Sequence, residues 1–213
     1  DYFGAPGAAK RREYASDIHA SASHLLDLVN DLLDISAIEA GRTALSLARE
    51  PIAGIIADCA QTMTEVVRAK GVDLETVVPG GLPPILADRR AIKQTLLNLL
   101  SNAVKFTEPG GRIAIMAENG PGMVRIRVSD TGIGIPPERL DDITAAFAGG
   151  GQSPCAGDPQ APYTVEKGWG LGLAISRSLV EMHGGAITID SRLGEGTTVT
   201  VDLPEYRAPA EVV

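Results

Sequence analysis

Between Asn98 and Thr198 the chain carries four short motifs, each where a regular element meets a loop: Asn98-Leu-Leu-Ser-Asn102-Ala-Val-Lys105-Phe106, Asp130-Thr-Gly132-Ile-Gly134, Gly168-Trp-Gly170-Leu-Gly172-Leu173 and Gly194-Glu-Gly196-Thr-Thr198. An asparagine on a helix or a glycine pair in a loop is common. Four such motifs in this order, at domain-sized spacing, demand a fold that brings helix ends, a strand end and a hairpin to one place.

Composition narrows the class. The 213 residues are 44% hydrophobic and 22% charged, enough for one sizeable core plus an appendage. No stretch approaches the roughly 20 apolar residues of a membrane span, and Asp1-Tyr2-Phe3-Gly4 lacks the basic start and apolar core of a signal peptide. A soluble, cytoplasmic protein is expected, with any membrane attachment made only through regions upstream. A net charge of −8 without a dense basic block argues against nucleic acid as a partner, because phosphate neutralisation dominates that affinity. Cys59 and Cys155 are isolated, so neither a disulfide framework nor a zinc site is indicated.

The first unit runs from about Arg12 to Ala40. Ile18, Ala22, Leu25, Val29 and Leu32 recur at helical spacing, and Leu26, Leu28, Leu33 and Ile35 widen the apolar face beyond one seam. Such a helix needs partners on more than one side, or packs on the domain that follows. Gly41 sits where a C-terminal cap would be, so residues 1–42 form one unit, 43–206 a second and 207–213 a tail. Thr43 to Arg49 reads as a strand, and Pro51 to Lys70 as an amphipathic helix stopped by Gly71. A strand from Val72 follows, then Ile85-Leu86 and a helix capped by Asp88 that reaches Phe106. Two hairpins, Arg112–Glu118 with Met123–Ser129 and Ala186–Ser191 with Thr197–Leu203, flank a helix from about Gly170 to Met182. Strands paired by hairpins with helices between the pairs predict an α+β sandwich, helices on one face of a mixed sheet.

The chemistry of the motifs fits an adenine nucleotide. Asn98, Asn102 and Lys105 share one helix face, opposite the apolar positions Ile92, Leu96, Leu99, Leu100 and Val104. An amide oxygen suits magnesium, whose remaining ligands are waters and phosphate oxygens, and a lysine one turn on neutralises the same phosphates. Asp130 ends an alternating strand, where a carboxylate can accept a hydrogen bond from an adenine amino group, while Gly132 and Gly134 let the backbone pass close beneath the ring. Gly170-Leu171-Gly172-Leu173 opens a helix and offers N–H groups to an anion. Thr198 is placed to share the adenine contact with Asp130. Taken singly, these features are also an asparagine face in solvent, an Asp-x-Gly turn and a helix-packing glycine pair.

The segment from Asp88 to Leu203 resembles the catalytic ATP-binding domain of sensor histidine kinases, with the four motifs as its N, G1, G2 and G3 boxes. The run from Tyr14 to Arg42, His24-Leu-Leu-Asp-Leu-Val-Asn-Asp-Leu-Leu-Asp-Ile-Ser-Ala-Ile-Glu-Ala-Gly41 within it, is similar to the second helix of those kinases' dimerisation and phosphotransfer hairpin. Its texture is closest to the alphaproteobacterial DivJ, PleC and DivL group. The resemblance implies a Bergerat-type (GHKL) sandwich behind a long helix of a dimeric four-helix bundle, ATP and Mg2+ as cofactors, and a homodimer that hands phosphate to a response regulator or phosphotransfer protein. It implies magnesium on Asn102, catalytic roles for Asn98 and Lys105, and nucleotide contacts from Lys105, Phe106, Asp130, Gly132, Gly134, Ile135, Gly170, Leu171, Gly172, Leu173 and Thr198.

Three departures bear on activity. No His-Glu-Leu-Arg-Thr-Pro-like acceptor motif occurs in these residues, and His19, His24 and His183 look structural, so the acceptor histidine is expected outside this stretch. The Phe-Glu-Pro-Phe-like F box appears only as Thr144-Ala-Ala-Phe147, and the lid from Ala148 to Lys167 supplies one cation, Lys167. A kinase transferring the ATP γ-phosphate is therefore the leading expectation, and a scaffold of the same fold acting through its dimer and partner surfaces is the alternative. A gyrase- or Hsp90-like ATPase is disfavoured because Asn98 stands where a water-activating glutamate is needed, and an amide is no general base.

Overall fold

The computed structural model describes residues 44–140 and 171–206, together with scattered positions between 10 and 40. The described positions from Lys10 to Ala37 are helical, and Ile18, Leu25, Leu26, Val29 and Leu33 are exposed. The stretch 148–167, Phe147 and Gly170 lie outside the described residues.

From there the chain forms β1 (Ala48–Glu50), α1 (Ile52–Lys70), β2 (Asp73–Val77), β3 (Ile85–Ala87), α2 (Arg89–Phe106), β4 (Arg112–Gly120), β5 (Met123–Asp130), α3 (Leu171–Met182), β6 (Ala186–Arg192) and β7 (Gly196–Pro204). The expected strand over Thr43 to Arg49 is corrected: residues 44–47 carry no regular structure, and only Ala48–Glu50 pairs, antiparallel to β3. The partner sets that length. β3 is three residues long because Asp88 begins the next helix immediately after it.

The main sheet has the order β2-β4-β5-β7-β6, with β2 parallel to β4 and every other neighbour antiparallel. This is the mixed sheet of an α+β sandwich. Strand alternation sends Ile113, Ile115, Val124, Ile126, Val128, Val201 and Leu203 to one face, where they meet Ile92, Leu96 and Leu100 of α2 and Ile52, Ile55 and Ile56 of α1 in one core. Each fully buried Ile or Leu there contributes about 2 kcal/mol relative to exposure. The opposite face is polar: Arg125 holds Asp202 through bonds of 2.7 and 2.9 Å, and Arg127 reaches Glu118 at 2.9 Å. Cys59 belongs to the core, and burial pushes its thiol up to about 11, so it is no nucleophile at neutral pH.

Helix α2 is fixed at its start by a junction of three chain segments. The Asp88 carboxylate accepts from the N–H groups of Arg90 (2.9 Å) and Ala91 (3.3 Å), and its second oxygen accepts from Ser46 N–H (2.9 Å). The Asp88 backbone N–H donates to His183 Nε2 at 2.9 Å, while Nδ1 of that buried ring lies 2.6 Å from the Leu179 carbonyl. Since a carbonyl only accepts, His183 is the neutral Nδ1–H tautomer. It ties the end of α3 to the start of α2, as the structural reading of His183 anticipates.

Hydrogen bonds from the Ser46 N–H, and then from those of Ala91 and Arg90, hold the Asp88 carboxyl below the usual aspartate range against the opposing effect of burial. A carboxyl lowered by folding stabilises the fold above its unfolded pKa, and that contribution disappears as pH falls through the folded value. Asp88→Ala is therefore expected to lower unfolding free energy by about 1 kcal/mol at neutral pH, with wild type and variant converging in acid. Denaturant titrations across pH check both the size and the convergence.

Candidate functional site

The site grows from the last inner-facing layer of the main sheet. The strand registers place Asp130 of β5 opposite Thr197 of β7, and Thr197 opposite Ser191 of β6, with Ile113 of β4 on the other side of Asp130. One oxygen of Asp130, Oδ1, accepts from Gly132 N–H (2.9 Å) and Thr197 N–H (3.3 Å). Its other oxygen takes no hydrogen bond from any described residue. Burial raises the Asp130 carboxyl above the usual range, opposed by those two N–H bonds.

The loop after Asp130 is clamped from two sides. Ile133 N–H donates to the Phe106 carbonyl at the end of α2 (3.2 Å), and Ile135 N–H to Ser191 Oγ (2.9 Å). Gly194 N–H donates in turn to the Ile133 carbonyl (2.8 Å). A Cβ on Gly132 would strike the Phe106 carbonyl, and one on Gly134, at φ +67°, would strike the Arg192 carbonyl. Glycine is required at both by this close backbone approach.

Helix α2 contributes the polar face. Asn98 Nδ2 donates to the Gly172 carbonyl (3.2 Å) and lies 3.5 Å from Ser176 Oγ, which itself donates to Gly172 (2.7 Å). Asn98 thus grips the first turn of α3, and only its acceptor oxygen remains for a ligand. Asn102, one turn further on, is half-buried and its amide has no partner among the described residues. Lys105 Nζ lies 5.0 Å from the centre of the Phe106 ring, whose residue is exposed at the helix end.

Not every expected contact converges. Thr198 is corrected: it points to the opposite face of the sheet, where its hydroxyl pairs with Ser129 Oγ at 3.0 Å, because it lies one position along β7 from the residue facing Asp130. Thr197 is the residue of β7 that faces Asp130. Leu173 packs against the core. Leu171 contributes its backbone to α3, and Gly170 falls outside the described residues. Ser191 and Thr197 were not singled out by the sequence; alternation in β6 and β7 from the buried Val201 would have put both on the inner face.

Among the described residues no cluster of three or more His, Cys, Asp or Glu could hold a metal by itself, and no helix is long and apolar enough to cross a membrane. A lone half-buried amide oxygen at Asn102 nevertheless fits magnesium, which takes few protein ligands when phosphates supply the rest.

Residues 87–207 match the family model described as histidine kinase-, DNA gyrase B- and HSP90-like ATPase. The histidine protein kinase DivJ of Caulobacter vibrioides is 42% identical over 214 residues, covering 96% of this chain and 33% of DivJ. Full-length ShkA, solved in complex with AMPPNP, superimposes with a TM-score of 0.76 at 35% identity, over 94% of this chain and 40% of that one. The histidine kinase ThkA in complex with the response regulator protein TrrA gives 0.70 at 24% identity, over 97% of this chain and 54% of that one, a likeness of fold. The chain spans about a third of the length of DivJ.

Two glycine substitutions separate the close approach from open packing. Gly132→Ala drives a methyl into backbone and is expected to cost about 1–3 kcal/mol. At Gly172 a Cβ would meet the Asn98 amide only at ordinary contact distance, 3.4 Å, so Gly172→Ala should leave stability within about 1 kcal/mol of wild type. Thermal unfolding of both variants measures the contrast.

Proposed function

The chain belongs to the histidine kinase-, DNA gyrase B- and HSP90-like ATPase family and carries a histidine kinase's ATP-binding catalytic domain, and from that premise we propose that it transfers the ATP γ-phosphate to a histidine outside these residues and thence to a response-regulator aspartate. The imidazole nitrogen attacks the γ-phosphorus, and the bond to the β–γ bridging oxygen breaks to leave ADP. The observation that carries this reading is Asp130, a largely buried carboxylate with one oxygen anchored and the other open to accept from an adenine amino group.

On this reading Asn102 supplies the protein oxygen for magnesium, which offsets phosphate charge when bound, and Lys105 neutralises the same phosphates. Asn98 keeps the first turn of α3, whose N–H groups face the phosphates, at a fixed distance from Asn102. The exposed apolar positions Ile18, Leu25, Leu26, Val29 and Leu33 suit a second copy of the chain in a dimeric bundle, with residues 1–42 as that unit and 43–206 as the catalytic one. ATP and a response-regulator partner fit a cytoplasmic setting.

Two experiments test this. Asp130→Asn retains an oxygen for Gly132 and Thr197, so the fold should stand, while ATP and ADP affinity falls by about 1–3 kcal/mol by titration calorimetry. The sign on stability is opposite. A carboxyl raised by burial gives stability below its unfolded pKa and loses it as pH rises through the folded value, so removing the ionised group should not destabilise at neutral pH. Equal nucleotide affinities would remove Asp130 from the site. Separately, with γ-labelled ATP, magnesium and a purified hairpin bearing an acceptor histidine, wild type should produce acid-labile label, and Asn102→Ala should lose both label and the magnesium dependence of ATP affinity. Tight ATP binding without label would favour the scaffold.

A further inference from the structure

The buried Ser191 hydroxyl is the meeting point of three hydrogen bonds, and their directions are forced. Ile135 N–H can only donate to it, at 2.9 Å, and the Gly196 carbonyl can only accept from it, at 2.8 Å. The single Ser191 proton therefore goes to Gly196. The remaining contact, 2.9 Å between Ser191 Oγ and Thr197 Oγ1, must take its proton from threonine. Thr197 is left with lone pairs and no free proton.

Next to it in the same inner-facing layer, the N–H groups of Gly132 and Thr197 are both committed to Asp130 Oδ1. The Gly132 and Thr197 N–H groups and the Ser191 and Thr197 hydroxyl protons are thus all engaged. Of this cluster, Thr197 Oγ1 and Asp130 Oδ2 are left to accept.

We propose that Ser191 is a specificity-determining positioning residue: by drawing the Thr197 proton away, it leaves Thr197 Oγ1 an acceptor beside Asp130 Oδ2, so that this part of the base-binding wall takes a 6-aminopurine nucleotide and rejects a 6-oxopurine one. The inference rests on the reading of Asp130 as the adenine contact and adds the residue that sets the wall's polarity. A 6-amino group donates to such a wall. A 6-oxo group presents lone pairs to lone pairs, and a site built for one hydrogen-bond direction discriminates strongly against the other. Without Ser191 the Thr197 hydroxyl can rotate and donate, and the rejection weakens.

The test compares ATP with inosine triphosphate by calorimetry on the full chain, with circular dichroism to confirm folding. Wild type should prefer ATP by about a hundredfold or more. Ser191→Ala should narrow that preference about tenfold, and Ser191→Thr, which keeps a hydroxyl, should restore it. In a Thr197→Val background Ser191→Ala should no longer change the ratio, because the hydroxyl it frees is absent. Should Ser191→Ala not fold, Thr197→Val alone decides, since loss of an acceptor narrows the ATP preference and loss of a donor widens it. An unchanged ratio in folded Ser191→Ala, equal narrowing in the Thr197→Val background, or a widened preference in Thr197→Val overturns the proposal while leaving ATP binding intact. A wild-type chain that binds no adenine nucleotide overturns the underlying reading as well.

Discussion

The site depends on one carboxylate oxygen shared between two backbone N–H groups. Asp130 Oδ1 joins the loop after β5, through Gly132, to the start of β7, through Thr197. Neither segment can shift without leaving a buried acceptor or donor unpaired, a loss of about 1–3 kcal/mol. Bare backbone then closes on backbone: a Cβ on Gly196 would strike the Asp130 carbonyl, as one on Gly132 would strike Phe106. Three motifs far apart in sequence become one rigid wall, and the carboxylate's second oxygen is what that wall presents.

A separate pair of ties governs the helices. His183 fastens the end of α3 to the N-terminal junction of α2, and Asn98 fastens the start of α3 to the middle of α2. Two attachments at opposite ends of α3 fix both its direction and its advance along α2. Asn102 and Lys105 lie beyond the second attachment on the same helix, so their separation from α3's first turn is set by Asn98. On the proposed reading Asn98 acts by position alone, a role an asparagine can fill, whereas a water-activating ATPase needs a glutamate there.

Local rules made much of this legible. Asp88 reads as a cap from sequence and caps α2, and the apolar spacing along α2 marks its buried side. The misses have a common physical origin in long-range pairing. The length of β1 is dictated by β3, which nothing in Thr43 to Arg49 encodes. A Gly-Glu-Gly hairpin leaves the register open by one residue, and one residue reverses the face, so the sequence does not tell whether Thr197 or Thr198 stands on the side of Asp130. Ser191 and His183 are ordinary residues until the fold brings them to partners 56 and 95 positions away.

Asp130 is also where the fold departs from what stability alone would select. Burial disfavours its charge, and two N–H groups on one oxygen only partly offset that. Placing an aliphatic side chain there would extend the layer begun by Ile113, and the next layer inward, Val128 with Val199, shows that such packing is available. The surrounding sheet tolerates the charge because Ile113, Ile115 and Ile126 are fully buried and Val128 nearly so, keeping β4 and β5 in register up to the carboxylate. On the proposed reading a donor from the ligand meets the second oxygen of Asp130, so binding and relief of the desolvated charge are the same event. This couples affinity to the hydrogen-bond direction of the ligand more tightly than shape alone could, since a base of equal size with the wrong polarity leaves the cost in place.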